Sequence, residues 1–175
     1  DRDVRTTRKL PWAKILSLLG VVAMPSRSGG MIAATISHCF GIDMVRVQEF
    51  EERRVEIPRE QMCHLGRQNT TLGVDTVSGA RVLSYDSKIA VVFADLDFDR
   101  YRALLPNGEL HAQVIELMNL LLNDPLAIDF VLGLRNENVP DFTLGQERSS
   151  RLGWSSFLGG AGKQRRREAR IKARG

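Results

Sequence analysis

The chain has 175 residues, 43% of them hydrophobic, and a formal net charge of +4; that length allows one domain with a sizeable core. Its two cysteines, Cys39 and Cys63, are too few for a disulfide framework and suit a reducing compartment. No stretch approaches the ~18 apolar residues of a membrane span, and the opening DRDVRTTRKLPW lacks the apolar core of a signal peptide.

The charge is unevenly placed. Lys163, Arg165, Arg166, Arg167, Arg170, Lys172 and Arg174 stand against Glu168 alone, so this stretch carries +6 and the rest of the chain −2. The high isoelectric point therefore belongs to a C-terminal tail and not to a basic domain face. A chain that opens on Asp1, without a start methionine, reads as a fragment or a processed piece.

Pro11 suits the first turn of a helix. Trp12, Ile15, Leu16, Leu19 and Val22 follow at helical spacing on one face. This helix should stop before Pro25, because the residue ahead of a proline is pushed away from α geometry. Ser26 or Ser28 can cap a second helix. Its apolar stripe runs through Met31, Ile32, Thr35, Ile36, Cys39 and Phe40, and Gly41 stands where a left-handed cap is wanted.

Residues 42–50 read as a strand, with Val45 and Val47 alternating with Arg46 and Gln48. After a turn at Glu51-Glu52, Val55 and Ile57 continue as a second short strand, and the two are expected to pair as an antiparallel hairpin. Residues 80–94 return to strand. Ile89, Val91 and Phe93 fall on one face and Ala90, Val92 and Ala94 on the other, which predicts a central strand covered on two sides. Asp97 can cap a short helix over 98–105, and a turn follows at Pro106-Asn107-Gly108. A longer helix then carries Leu110, Val114, Leu117, Met118, Leu121 and Leu122 on one stripe. In 126–135, Leu126, Ile128, Phe130, Leu132 and Leu134 face one way, and Asp129, Gly133 and Arg135 the other. In the tail, Ala169, Ile171 and Ala173 interrupt the charge. It reads as able to form a helix, and as exposed or disordered alone.

The order α-α-β-β-loop-β-α-α-β-loop-tail predicts an α+β fold, with helices packed on a small, mostly antiparallel sheet. Two glycine-rich loops, 65–79 and 144–159, are expected to protrude from it. The domain layout is an N-terminal extension over 1–10, the α+β domain over 11–160, and a basic tail over 161–175.

The residue types suited to chemistry lack the spacing it requires. Asp95, Asp97 and Asp99 resemble the start of a calcium loop, but Arg100 and Pro106 stand where an EF-hand needs Gly and Glu. A helix cap with an acidic first turn explains them. His38-Cys39 and Cys63-His64 are adjacent pairs, whereas structural zinc ligands are spaced two to four residues apart. Gly162-Lys163 has Phe157 and Gln164 where a phosphate loop needs Gly and Ser or Thr. Ser155 and Ser156 lack the hydrolase elbow, and His111 reads as an exposed helical residue. No catalytic residue, cofactor, metal or small-molecule substrate is expected.

Residues 144–160, LGQERSSRLGWSSFLGG, hold three Leu-Gly pairs around Trp154 and Phe157. Glycine at this density permits left-handed turns rather than a regular element. Aromatics in such a segment either fold back on the domain or dock on a partner, where exposed Trp and Arg dominate binding energy. A second stretch of the same grammar, LGRQNTTLG, spans 65–73. LGRQNTTLG, SGARVLSYDSKIAVVF, YRALLPNG and RLGWSSFLGG, taken in order from about Ser26 to Gly159, resemble the C-terminal half of the TssG (ImpH/VasB) family.

That resemblance implies a non-enzymatic, cytoplasmic subunit of the type VI secretion baseplate, docked at the inner membrane. It implies a wedge component that joins two copies of TssF and reaches TssK trimers through protruding loops, the feet. It also implies that the family's N-terminal half, with some TssF contacts, lies outside this chain. The two glycine-punctuated loops are this chain's candidates for the feet. Their candidate partner-binding residues are Leu65, Leu72, Leu144, Arg151, Leu152, Trp154, Phe157 and Leu158. No membrane insertion is expected. The alternative is a nucleic-acid-binding module acting through the Arg-rich tail by counterion release. The slightly acidic body, with no aromatics interleaved near the tail, weighs against it.

Overall fold

Pro11 precedes the first helix, α1 (Trp12–Ser17), as its N-cap. The computed structural model describes residues 10–135, Trp154 and 167–174. The single helix expected before Pro25 is two short ones, α1 and α2 (Leu19–Val22), separated at Leu18. Leu10, Ile15 and Leu18 are buried. Leu10 therefore belongs to the core and not to an N-terminal extension; its N–H donates to Glu116 Oε2 at 2.9 Å. In α3 (Gly29–Phe40) the Ser28 side chain accepts from the Met31 N–H, and Gly41 ends the helix at φ 63°. Only a residue without a Cβ adopts that conformation without strain. Ile32, Ile36 and Cys39 point inward from α3.

The strands that follow are β1 (Val45–Gln48), β2 (Arg53–Glu56), β3 (Arg81–Ser84) and β4 (Lys88–Leu96). The expected hairpin between β1 and β2 does not form. Both strands run outward in succession, β1 against β4 and β2 against β3. The stretch 80–94, read as one strand, is likewise divided between β3 and β4. Alternation marks a strand but does not choose its partner.

A helical crossover joins β4 to β5 (Ala127–Leu134) through α4 (Phe98–Leu104) and α5 (Glu109–Leu121), and the two strands run parallel. Asp97 caps α4, its Oδ1 accepting from the Arg100 N–H at 2.7 Å. The crossover turn is tight at Gly108, where a Cβ would meet the Ala103 carbonyl oxygen at 2.1 Å.

The last strand is the main departure from expectation. Arg167–Arg174 forms β6, antiparallel to β5, and completes a sheet of order β1-β4-β5-β6. These residues of the basic tail are thus neither helical nor free. Ile171 is 4% exposed and lies opposite Phe130. Ala169 and Ala173 pack on the same side against the core.

The α+β expectation holds, with one parallel pair in an otherwise antiparallel sheet. Val91, Phe93, Ile128, Phe130, Leu132 and Ile171 form one wall of the core, and Tyr101, Leu104, Val114, Leu117, Met118 and Leu121 of α4 and α5 the other. Phe93 and Phe130 meet edge to face at 5.6 Å, a favoured aromatic arrangement. His111, expected to be exposed, is half-buried; its ring lies edge-on to Phe130 and its Nδ1 is 3.0 Å from the Leu104 carbonyl.

Candidate partner-binding arm

Gln48 lies opposite Ala90 and Arg53 opposite Ser84. The β2–β3 ribbon is therefore the outward continuation of the β1–β4 pair, past a short irregular joint. The register shifts by one residue across that joint, since four residues on the outgoing strand span five on the returning one. A bulge of this kind bends and twists a strand pair. Phe50, in the joint, is held at φ 59° and is 71% exposed. A bulky residue in the left-handed region is strained and is kept there by its surroundings.

Those surroundings are specific. Glu49 Oε1 accepts from the Gly29 N–H at 3.0 Å, which ties the joint to the start of α3. The Glu51 N–H returns to the ladder, donating to the Lys88 carbonyl at 3.2 Å. The Ser87 carbonyl accepts from the Ala127 N–H at 2.9 Å, tying the returning strand to β5.

Beneath the joint lies a charged network. Asp129 sits on β5, on the face opposite Phe130, and is buried. Its Oδ2 lies 2.8 Å from Lys88 Nζ and 2.8 Å from Arg170 Nε. Arg170 Nη2 in turn lies 2.6 Å from Glu51 Oε2. Burial pushes the Asp129 carboxyl up, but hydrogen bonds and charge from Lys88 and Arg170 outweigh it and hold the group below its ordinary value.

The tip of the arm is built from the loop between β2 and β3. His64 N–H donates to the Gln68 carbonyl at 3.0 Å and Arg67 N–H to the His64 carbonyl at 2.9 Å, closing one turn. Asp75 Oδ1 accepts from the Thr71 N–H at 2.8 Å, and Val74 N–H donates to the Thr71 carbonyl, closing a second. Gly66 and Gly73 follow Leu65 and Leu72 at φ 74° and 80°. Asn69 Nδ2 binds the carbonyls of Glu60 and Met62, bracing the loop from inside. The loop thus presents Leu65, Leu72 and Val74 to solvent at 93%, 89% and 82% exposure. Three large apolar side chains exposed on one hydrogen-bonded excursion are of the kind that marks protein–protein contact.

Trp154 behaves differently. It is half-buried and packs against the core, and its carbonyl accepts a hydrogen bond from the Tyr101 hydroxyl. Burial pushes the Tyr101 phenol up to about 12. Leu144, Arg151, Leu152, Phe157 and Leu158 lie outside the described residues. Sequence reasoning also passed over Val74, Phe50 and the ionic network. Two basic-tail residues, Arg170 and Arg174, are engaged within the fold, Arg174 with Asn119 Oδ1 at 2.7 Å.

Among the described residues no group of three or more His, Cys, Asp or Glu is placed to hold a metal ion. Among the same residues no helix is long and apolar enough to cross a membrane.

The family model for the type VI secretion protein TssG matches residues 1–159. The chain belongs to the TssG family. The match reaches back to residue 1, further than the resemblance read from Ser26 onward, and stops short of β6. No curated protein was found to match this TssG-family chain. Among solved structures, it is similar to a chain of the type VI secretion TssK–TssF–TssG baseplate subcomplex determined by cryo-electron microscopy. That likeness has a TM-score of 0.70 and 17% identity, over 93% of this chain and 68% of the other. It is also similar to a chain of the type VI secretion baseplate complex, with a TM-score of 0.58 and 18% identity, over 92% of this chain and 45% of the other. At these identities the likeness concerns the fold.

Proposed function

We propose that this TssG-family chain is a structural, non-catalytic subunit of a type VI secretion baseplate wedge, acting in the cytoplasm at the inner membrane and bridging a TssF-like to a TssK-like protein. Family membership supplies the system. The observation that carries the bridging role is the arm tip, where Leu65, Leu72 and Val74 stand exposed on turns locked by left-handed glycines and side-chain hydrogen bonds. A preorganised tip loses little conformational freedom on binding, so its apolar contacts convert efficiently into affinity. The tip is one foot, seating its leucines in a pocket of the TssK-like partner. The stretch 144–159, with Arg151, Trp154 and Phe157, is proposed as the second. Trp154 anchors its own backbone to the domain there, so Leu152, Phe157 and Leu158 are left as the apolar contacts.

The test is co-purification of this chain with TssK-like and TssF-like proteins from the same system. A ternary complex that loses the TssK-like protein alone on Leu65→Asp/Leu72→Asp supports the bridge. Retention of both partners by that variant removes the tip from it.

A further inference from the structure

Each strand of the arm leaves the sheet beside a charged residue, Glu51 on the outgoing side and Lys88 on the returning side. Both belong to the network that Arg170 completes, Glu51 through Nη2 and Lys88 through the shared Asp129 carboxylate. Outside the joint, β2 and β3 have their extensive contacts only with each other. The base of the arm is held by this network together with the Glu49–Gly29, Glu51–Lys88 and Ser87–Ala127 hydrogen bonds, and of these the network alone draws on strand β6. A two-stranded ribbon is marginal by itself, so the attachments at its base govern where it points.

The geometry points to Arg170 as a positioning residue for the arm: strand β6 reaches back from the C-terminus to clamp the joint, so that the last strand sets the direction of the tip. Arginine suits the task because its planar fork presents separate N–H donors to two carboxylates at once. Its Nε takes Asp129 in the buried sheet and its Nη2 takes Glu51 on the arm. A lysine, with one point charge, cannot span both with the same geometry. Glu51 is the arm's own end of the clamp, and its backbone N–H already holds the ladder to Lys88. Arg170 lies beyond the stretch that matches the TssG family, whereas Glu51, Lys88 and Asp129 lie within it. That the tip docks a partner rests on the reading above; the clamping of the arm does not.

The experiment measures the arm directly and needs no partner. Spin labels at Val74→Cys on the tip and Glu109→Cys at the start of α5, in a Cys63→Ser background of the full chain, report the tip-to-body distance distribution by pulsed electron resonance. The parent gives a narrow distribution. Arg170→Gln and Glu51→Gln each roughly double its width, because the arm then samples directions the clamp excludes. Arg170→Lys falls between, and Lys172→Gln, a neighbouring charge on β6 outside the network, leaves the width unchanged. Glu51→Gln leaves the Arg170–Asp129 pair intact, so it isolates the arm even if Arg170→Gln weakens the fold. Parent-like widths in a folded Glu51→Gln overturn the proposal, whatever the tip binds. A widened distribution with unchanged partner affinity keeps the clamp and counts against the docking reading.

Discussion

Ile171 lies directly opposite Phe130 across the β5–β6 pair, and both side chains are buried. The basic C-terminus is therefore held by an apolar residue in the wall of the core. Its charged neighbours sit on the other side of the strand, where Arg170 meets Asp129.

Removal of 167–175 should lower the melting temperature by more than about 4 °C, the shift that loss of about 1–2 kcal/mol gives in a domain of this size. Ile171→Ala should account for much of it through the cavity it leaves. Differential scanning calorimetry of the truncated and parent chains checks this. An unchanged midpoint would mean that β6 rests on the sheet without stabilising it.

Phe130→Ala should cost roughly 3–5 kcal/mol, because the ring is buried between Phe93, His111 and Ile171. Chemical denaturation gives the value. A change below about 1 kcal/mol would contradict the assignment of this face of β5 as the core face.

The amino-acid pattern shows much of this in advance. The apolar stripes of α3 and α5, the cap at Asp97 and the inward face of β5 all follow from short-range periodicity. So does β6, in retrospect: Glu168, Arg170, Lys172 and Arg174 alternate with Ala169, Ile171 and Ala173, a period of two that the density of charge obscures. Partner choice is another matter. Nothing near Val45 or Val55 says that both pair with 81–96, because strand pairing is settled by contacts distant in sequence. Asp129 reads only as a residue on the face opposite Phe130 until Lys88 and Arg170 are seen to meet it. Leu65 and Leu72 were legible as candidates because each precedes a glycine, and their exposure follows from the turns those glycines permit.

Asp129 should make stability acid-sensitive. Its folded-state carboxyl is held below the ordinary value of 3.8, so its contribution is fully present above the unfolded-state pKa. It is lost as pH falls from there through the lowered folded-state pKa. Asp129→Asn should be less stable than the parent at neutral pH and show a shallower loss of stability below about pH 4. Unfolding free energies across that range check it. Parallel profiles for the two proteins would show that the carboxylate is not coupled to folding through its cations.

Trp154→Ala should lower stability by about 1 kcal/mol or more, because the indole packs against the core. Tyr101→Phe should cost about 1 kcal/mol by removing the hydroxyl that donates to the Trp154 carbonyl. Equal stability of parent and both variants would show that residue 154 is not tied down.

The central claim is that the arm tip is a docking element whose leucines serve a partner and not the fold. The most direct measurement pairs the stability of Leu65→Asp and Leu72→Asp with their affinity for the TssK-like protein, by denaturation and by titration calorimetry on the same samples. Both side chains are about nine-tenths exposed, so each substitution should move stability by less than about 0.5 kcal/mol. Each should weaken association at least tenfold, about 1.4 kcal/mol. Parent-like affinity in both variants, or unfolding caused by either, would contradict the account.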